Sequence, residues 1–182
     1  MGTMPSQVHP NYEQELEAAI NKQINLEFGA SYVYLSMAYY FDREDVALKN
    51  FSTYFLGHWH EEQEHAEMLL RLQNQSRGRI QLHDIRKPEL DDWGTGLNAM
   101  EYAFHLQRTI NWSLLDIHEM AMEMGDPQLC HFLEHHFLFK QVRIINELSY
   151  HVNNLRQLRA SGGSLDDYIF PNFTVSDSDK EN

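Results

Sequence analysis

Apolar positions recur with the α-helical period over four long stretches of this chain, and capping and turn residues separate them. The first stretch runs from about Asn11, a candidate N-cap with Gln14 three residues on, to about Tyr40; the second begins after Asp45 and reaches about Asn74. Gln75 to Gly94 include Gly78, Pro88 and several charges and keep no period. Thr95 is placed to cap a third helix ending near Met124. Gly125-Asp126-Pro127 reads as a stop and restart, with Asp126 as N-cap and Pro127 opening a fourth helix that runs to about Leu158. Ser161-Gly162-Gly163-Ser164 ends that helix, and Leu165 to Phe170 reads as a short fifth one. The expected division is a flexible segment over 1–10, a four-helix bundle over 11–160, a linker and fifth helix over 161–173, and a disordered polar tail over 174–182.

Connection lengths predict the topology. The first and second helices are joined by a few residues, as are the third and fourth, so each pair is expected to be antiparallel. A helix of about 27 residues is about 40 Å long, and about twenty extended residues span up to roughly 66 Å. The middle connection can therefore travel the bundle's full length and leave the second and third helices parallel. The expected fold is all-α: a four-helix bundle with one long crossover.

Each helix's apolar stripe is interrupted near its midpoint. In the second helix Leu48, Phe51, Phe55, His58, Glu62, His65, Leu69 and Leu72 share one face. The first gives Ile20, Ile24, Glu27, Ser31 and Tyr34; the third Leu97, Met100, Phe104, Gln107, Asn111 and Leu114; the fourth Leu133, Phe137, Gln141, Ile144, Leu148 and Leu155. Midpoints of a bundle lie at one level, so Glu27, Glu62, His65, Gln107 and Gln141 are expected to converge. Two buried carboxylates without a cation would cost several kcal/mol. A buried salt bridge, for which only Lys140 is at hand, or a misphased stripe would each remove the difficulty. Metal binding accounts for more of it, because Glu62-x-x-His65 puts two ligands on one face and mixed carboxylate and imidazole ligation suits iron, manganese or zinc. Adjacent histidines, His58-Trp59-His60 and His135-His136, point to different helix faces and read as core or surface residues.

Composition narrows the partners. Fourteen Lys plus Arg stand against 27 Asp plus Glu, a formal charge of −13, which disfavours nucleic acid and anionic membranes and attracts cations. One cysteine, Cys130, excludes an internal disulfide and fits a reducing compartment. No apolar run approaches a membrane span, and neither a signal nor a transit peptide is expected, so the expected location is the cytoplasm.

The segments Gln23-Ile24-Asn25-Leu26-Glu27, Ala30-Ser31-Tyr32-Val33-Tyr34-Leu35-Ser36-Met37, Glu61-Glu62-Gln63-Glu64-His65-Ala66-Glu67 and Leu72-Gln73-Asn74-Gln75 resemble ferritin of the heavy-chain type. Leu82-His83-Asp84-Ile85-Arg86-Lys87-Pro88-Glu89 and the run from Gly125 to Glu134 look closer to heavy-chain-like paralogues. The resemblance implies an iron-storing shell of twenty-four subunits, alone or mixed with other ferritin subunits. It also implies a ferroxidase centre that oxidises Fe(II) with dioxygen. Residues matching that centre are Glu27, Glu62 and His65 at the first iron position, with Glu62 bridging to a second, and Tyr34 and Gln141 beside it. Glu61, Glu64 and Glu67 match inner-surface residues where ferric ion nucleates, and His131 and Glu134 match two acidic rings of the threefold channel.

The chain also departs from that pattern. Gln107 stands where the second iron position needs a carboxylate, while Lys140 and Ile144 put a cation and a bulky aliphatic beside Gln141. His131 makes the channel less acidic and pH dependent. Pro171 falls where the family's fifth helix continues. The second E-x-x-H of other di-iron oxidases is missing, since the candidates read Glu134-x-x-Phe137 and Gln141-x-x-Ile144. The expectation is an iron-storage subunit with impaired ferroxidase chemistry, or a non-catalytic co-subunit that supplies structure and nucleation carboxylates to mixed shells.

Overall fold

The computed structural model describes residues 12–171, so Asn11, the N-terminal segment and the polar tail lie outside it. Four helices carry the fold: α1 (Tyr12–Asp42), α2 (Lys49–Gln75), α3 (Gly96–Glu123) and α4, which runs through Pro127–Leu133, a π-helical turn at Glu134–Leu138 and Phe139–Ala160. No strand forms among the described residues.

The caps act where the sequence places them. The Thr95 side chain accepts the Asn98 backbone N–H at 3.1 Å, and Asp126 accepts that of Leu129 at 3.0 Å, each satisfying a donor the first helical turn leaves free. Between α3 and α4, Gly125 takes φ +68°, and the Asp126 N–H reaches back to the Ala121 carbonyl at 3.1 Å. That reverse turn needs the left-handed backbone that glycine adopts most cheaply.

Cross-helix hydrogen bonds fix the helix directions. Gln73 Nε2 donates to the Glu17 carbonyl and Ser52 Oγ to that of Ala38, so α1 and α2 run antiparallel. Arg156 meets Glu101, Gln141 meets Gln107 and His118 meets Glu134, so α3 and α4 do too. Ser113 bonds Gln23 while Gln107 bonds Tyr34, which sets α3 antiparallel to α1 and hence parallel to α2. The crossover is tied at both ends: Asn21 brackets Arg79 and Gln81 (2.9 and 3.2 Å), and Trp93 Nε1 donates to Ser36 Oγ at 2.9 Å.

Apolar packing falls into two clusters on either side of a polar layer. One is aromatic, with Tyr34, Phe41, Phe51, Phe55 and Trp93; the other is mainly aliphatic, with Ile20, Ile24, Leu69, Ile110, Leu114 and Leu133. Each such large side chain contributes about 1.5–3 kcal/mol on burial. Gly96 lets α3 approach, since a Cβ there would lie 2.5 Å from the Phe51 ring.

Two expectations need correction. In α3 the buried stripe passes through Ala103 and Ile110, and Phe104 and Asn111 are only half-buried; positions one apart in sequence differ by only about 100° around a helix. The fifth helical element is a single 3-10 turn, Leu165–Asp167, after which the chain is extended. Tyr168 and Phe170 then fold onto Phe51, Tyr54 and His151, where the Phe170 ring stacks 4.3 Å from that of Tyr54.

Candidate metal centre

The interrupted stripes meet in the polar layer. Glu27 and Tyr34 enter from α1, Glu62 and His65 from α2, Gln107 from α3 and Gln141 from α4, and all six are buried. Glu27 and Glu62 are 0% and 1% exposed, and no Lys or Arg forms an ion pair with either among the described residues. Lys140, the one cation near this level in sequence, is exposed.

One side of the layer is unsatisfied. Glu27, Glu62 and His65 each present a ligand atom, all within 4.8 Å of one another. Glu27 Oε2, Glu62 Oε2 and His65 Nδ1 are buried and have no hydrogen-bond partner. His65 Nδ1 lies 3.6 Å from Glu62 Oε2, too far for a hydrogen bond. Two ligand atoms about 2.1 Å from one tetrahedral ion stand about 3.4 Å apart, so the spacing fits a shared cation. An imidazole nitrogen and two carboxylate oxygens suit a borderline divalent metal.

Burial, then the charge of Glu62, pushes the Glu27 carboxyl well above the usual carboxylate range. Burial alone would raise Glu62 as well, but the neighbouring Glu27 carboxyl, the His65 ring and the hydrogen bond from Gln107 hold it below that range.

The other side is closed. Gln107 Nε2 donates to Glu62 Oε1 at 2.7 Å and to Tyr34 Oη at 2.8 Å, and Gln107 Oε1 accepts from Gln141 Nε2 at 3.0 Å. The amide orientation is dictated by its neighbours: flipped, Gln107 would set an oxygen against the Glu62 carboxylate. An N–H donor thus occupies the direction from which a second cation would approach Glu62. Burial, then the charge of Glu62, holds the Tyr34 hydroxyl protonated.

Three further residues belong to the arrangement. Gln23 Nε2 donates to Glu27 Oε1 at 3.0 Å, and Ser113 Oγ donates to Gln23 Oε1, fixing the carboxyl from behind. Gln23 is four residues before Glu27, a spacing that puts both on one helical face. His58 lies one turn from Glu62 and stacks on Tyr34 at 5.1 Å; as a third polar break in the α2 stripe, it was visible in the sequence.

Outside the layer, Glu61 and Glu64 line a cleft of about 510 Å³ between α2 and α4, with His58, His65, Lys140, Arg143, Ile144 and Glu147. Glu67 is not in its lining and pairs with Arg71 at 3.5 Å. His131 and Glu134 line a separate surface cavity of about 450 Å³ with Asp126 and Cys130, and Glu134 is bonded to His118 Nε2 at 2.8 Å.

A long-crossover four-helix bundle with two carboxylates and a histidine gathered at mid-height defines a class of metal-binding bundle proteins. A family model for the ferritin-like domain matches residues 17–158, and the chain belongs to the ferritin family.

Proposed function

We propose that this chain is a heavy-chain-like ferritin subunit that takes up iron for storage as ferric mineral in an oligomeric shell in the cytoplasm. The observation that carries the reading is the set of three unpartnered atoms on Glu27, Glu62 and His65, buried in the core of a ferritin-like domain. Isolated buried carboxylates are too costly to keep without a cation to receive. Glu27, Glu62 and His65 bind Fe(II) as substrate. Gln23 and Ser113 keep Glu27 aimed, as outer-shell partners do. Gln141 orients Gln107, and Tyr34 accepts from it as a neutral phenol. Dioxygen is the oxidant implied by the family resemblance. Glu61, Glu64 and Glu67 supply nucleation carboxylates, and His131 and Glu134 line the channel. No helix among the described residues is long and apolar enough to cross a membrane.

A second reading, a non-catalytic co-subunit of mixed shells, is favoured by the closed Glu62–Gln107–Gln141 side. Stopped-flow Fe(II) oxidation after anaerobic loading separates the two. A slow wild type and a Gln107→Glu variant faster by roughly tenfold or more, the scale on which metal-site partners act, support a weakened ferroxidase. A wild type already at a heavy-chain rate and indifferent to the substitution contradicts the impaired second position. Oxidation undetectable in both proteins favours the co-subunit.

A further inference from the structure

Beyond α4 the chain reverses at Gly162, which takes φ +77°, and residues 165–170 return as a strap over α2 and α4. The strap alternates as extended backbone does: Tyr168 is buried, Ile169 is 78% exposed and Phe170 is half-buried against the bundle. Three contacts hold it. Asn50 Nδ2 donates to the Tyr168 carbonyl at 3.1 Å, and the Tyr168 hydroxyl meets Nδ1 of the buried His151 at 2.9 Å. The Phe170 ring lies 4.3 Å from that of Tyr54 and only 9° from parallel to it.

A continuous file of rings leads from the strap to the metal centre. Tyr54, stacked on Phe170 and bonded through its hydroxyl to Glu147 at 3.1 Å, stands edge-on to His58 at 4.7 Å and 71°. His58 stacks on Tyr34 at 5.1 Å and 23°. Its Nδ1 has no hydrogen-bond partner, so the two tyrosine rings set its orientation. Tyr34 Oη accepts from Gln107 Nε2, and the same amide donates to Glu62 Oε1. Rings packed at interior density have little room to move singly, so a displacement at one end is felt along the file.

We propose that Tyr168 and Phe170 are positioning residues for the metal centre, so that docking of the strap and binding of metal by Glu27, Glu62 and His65 favour each other. This rests on the metal site of the proposed function. Docked, the strap holds Tyr54 against His58 and keeps Tyr34 in place to accept from Gln107. Gln107 then holds Glu62 Oε1 and leaves Oε2 free for the cation. Released about the turn at Gly162, the strap frees Tyr54, the aim of Glu62 loosens and metal affinity falls. Coupling of this kind is reciprocal, so bound metal holds the strap down by the same factor.

The test titrates the full chain with Co(II), followed by its visible absorption, and reads hydrogen exchange of the strap amides by mass spectrometry. Glu27→Gln identifies the absorption that belongs to the centre. Phe170→Ala and Tyr168→Phe are expected to speed exchange over 165–170 and to weaken Co(II) binding at the centre by about threefold or more. Phe170→Tyr, which keeps the stack, behaves as wild type, and Ile169→Ala changes neither quantity. In wild type, saturating Co(II) slows exchange of the strap. Tyr168→Phe keeps its ring against Phe51 and decides alone if Phe170→Ala does not fold. Faster strap exchange with unchanged Co(II) affinity and absorption overturns this proposal and leaves the proposed function intact. So does weaker Co(II) binding without faster strap exchange. A wild type whose Co(II) absorption is absent, or is unaltered by Glu27→Gln, removes the proposed function and this proposal with it.

Discussion

On one side of the polar layer Glu27, Glu62 and His65 leave three buried atoms without partners; on the other, Gln107 and Gln141 bond to Glu62, to Tyr34 and to each other. Helices α1 and α2 build the open side, and α3 and α4 close the other against Glu62 and Tyr34, with every one of these residues buried. The difference is charge. A carboxylate pair needs an ion and is left waiting for one, whereas a pair of amides supplies both donor and acceptor and closes on itself. An amide at position 107, where a carboxylate would draw a cation to Glu62, instead donates a hydrogen bond to it.

Breaking this contrast should follow a ladder of effects. The largest is expected for Gln107→Glu without metal, which adds a third carboxyl to the layer and removes the N–H bonds to Glu62 and Tyr34. Chemical denaturation in chelator should show a loss of about 3 kcal/mol, with divalent metal restoring most of it. Next comes metal stabilisation itself: at a free ion concentration about 100 times Kd, wild type should gain about 2.7 kcal/mol. Glu27→Gln should lose that gain, because it replaces a charged oxygen ligand with a neutral amide. Thermal scans with and without Fe(II) under anaerobic conditions measure both. Gln141→Leu strands Gln107 Oε1 and should cost about 2 kcal/mol. Ser113→Ala releases only the far side of Gln23 and should cost about 1 kcal/mol, with metal affinity falling alongside because Glu27 is less firmly aimed.

How much of this was legible in the sequence depends on the kind of signal. The stripes of α1, α2 and α4 were readable because large apolar residues recur at three and four with few competitors. The α3 stripe slipped by one position because Phe104 and Asn111 stand beside Ala103 and Ile110, and side-chain size misled where small residues make the contact. The crossover was readable from length alone. The π-helical turn at Glu134–Leu138 was not, since no glycine or proline marks it and both Phe137 and Leu138 are buried. The helical turn ends at Asp167, before Pro171 is reached, and the docking of Phe170 against Tyr54 is a tertiary contact without a local pattern. Within the layer, residue types and level could be read off the stripes. The direction of the Gln107 amide could not, because it is set by Glu62 and Gln141, which arrive from other helices.

The account rests on one open metal position beside one closed by amides, and anomalous diffraction at the iron edge tests it on anaerobically Fe(II)-soaked crystals of wild type and Gln107→Glu. Within the layer, wild type should show iron only among Glu27, Glu62 and His65, and the variant should add a second peak between Glu62 and residue 107. An equally strong wild-type peak between Glu62, Gln107 and Gln141 would contradict it.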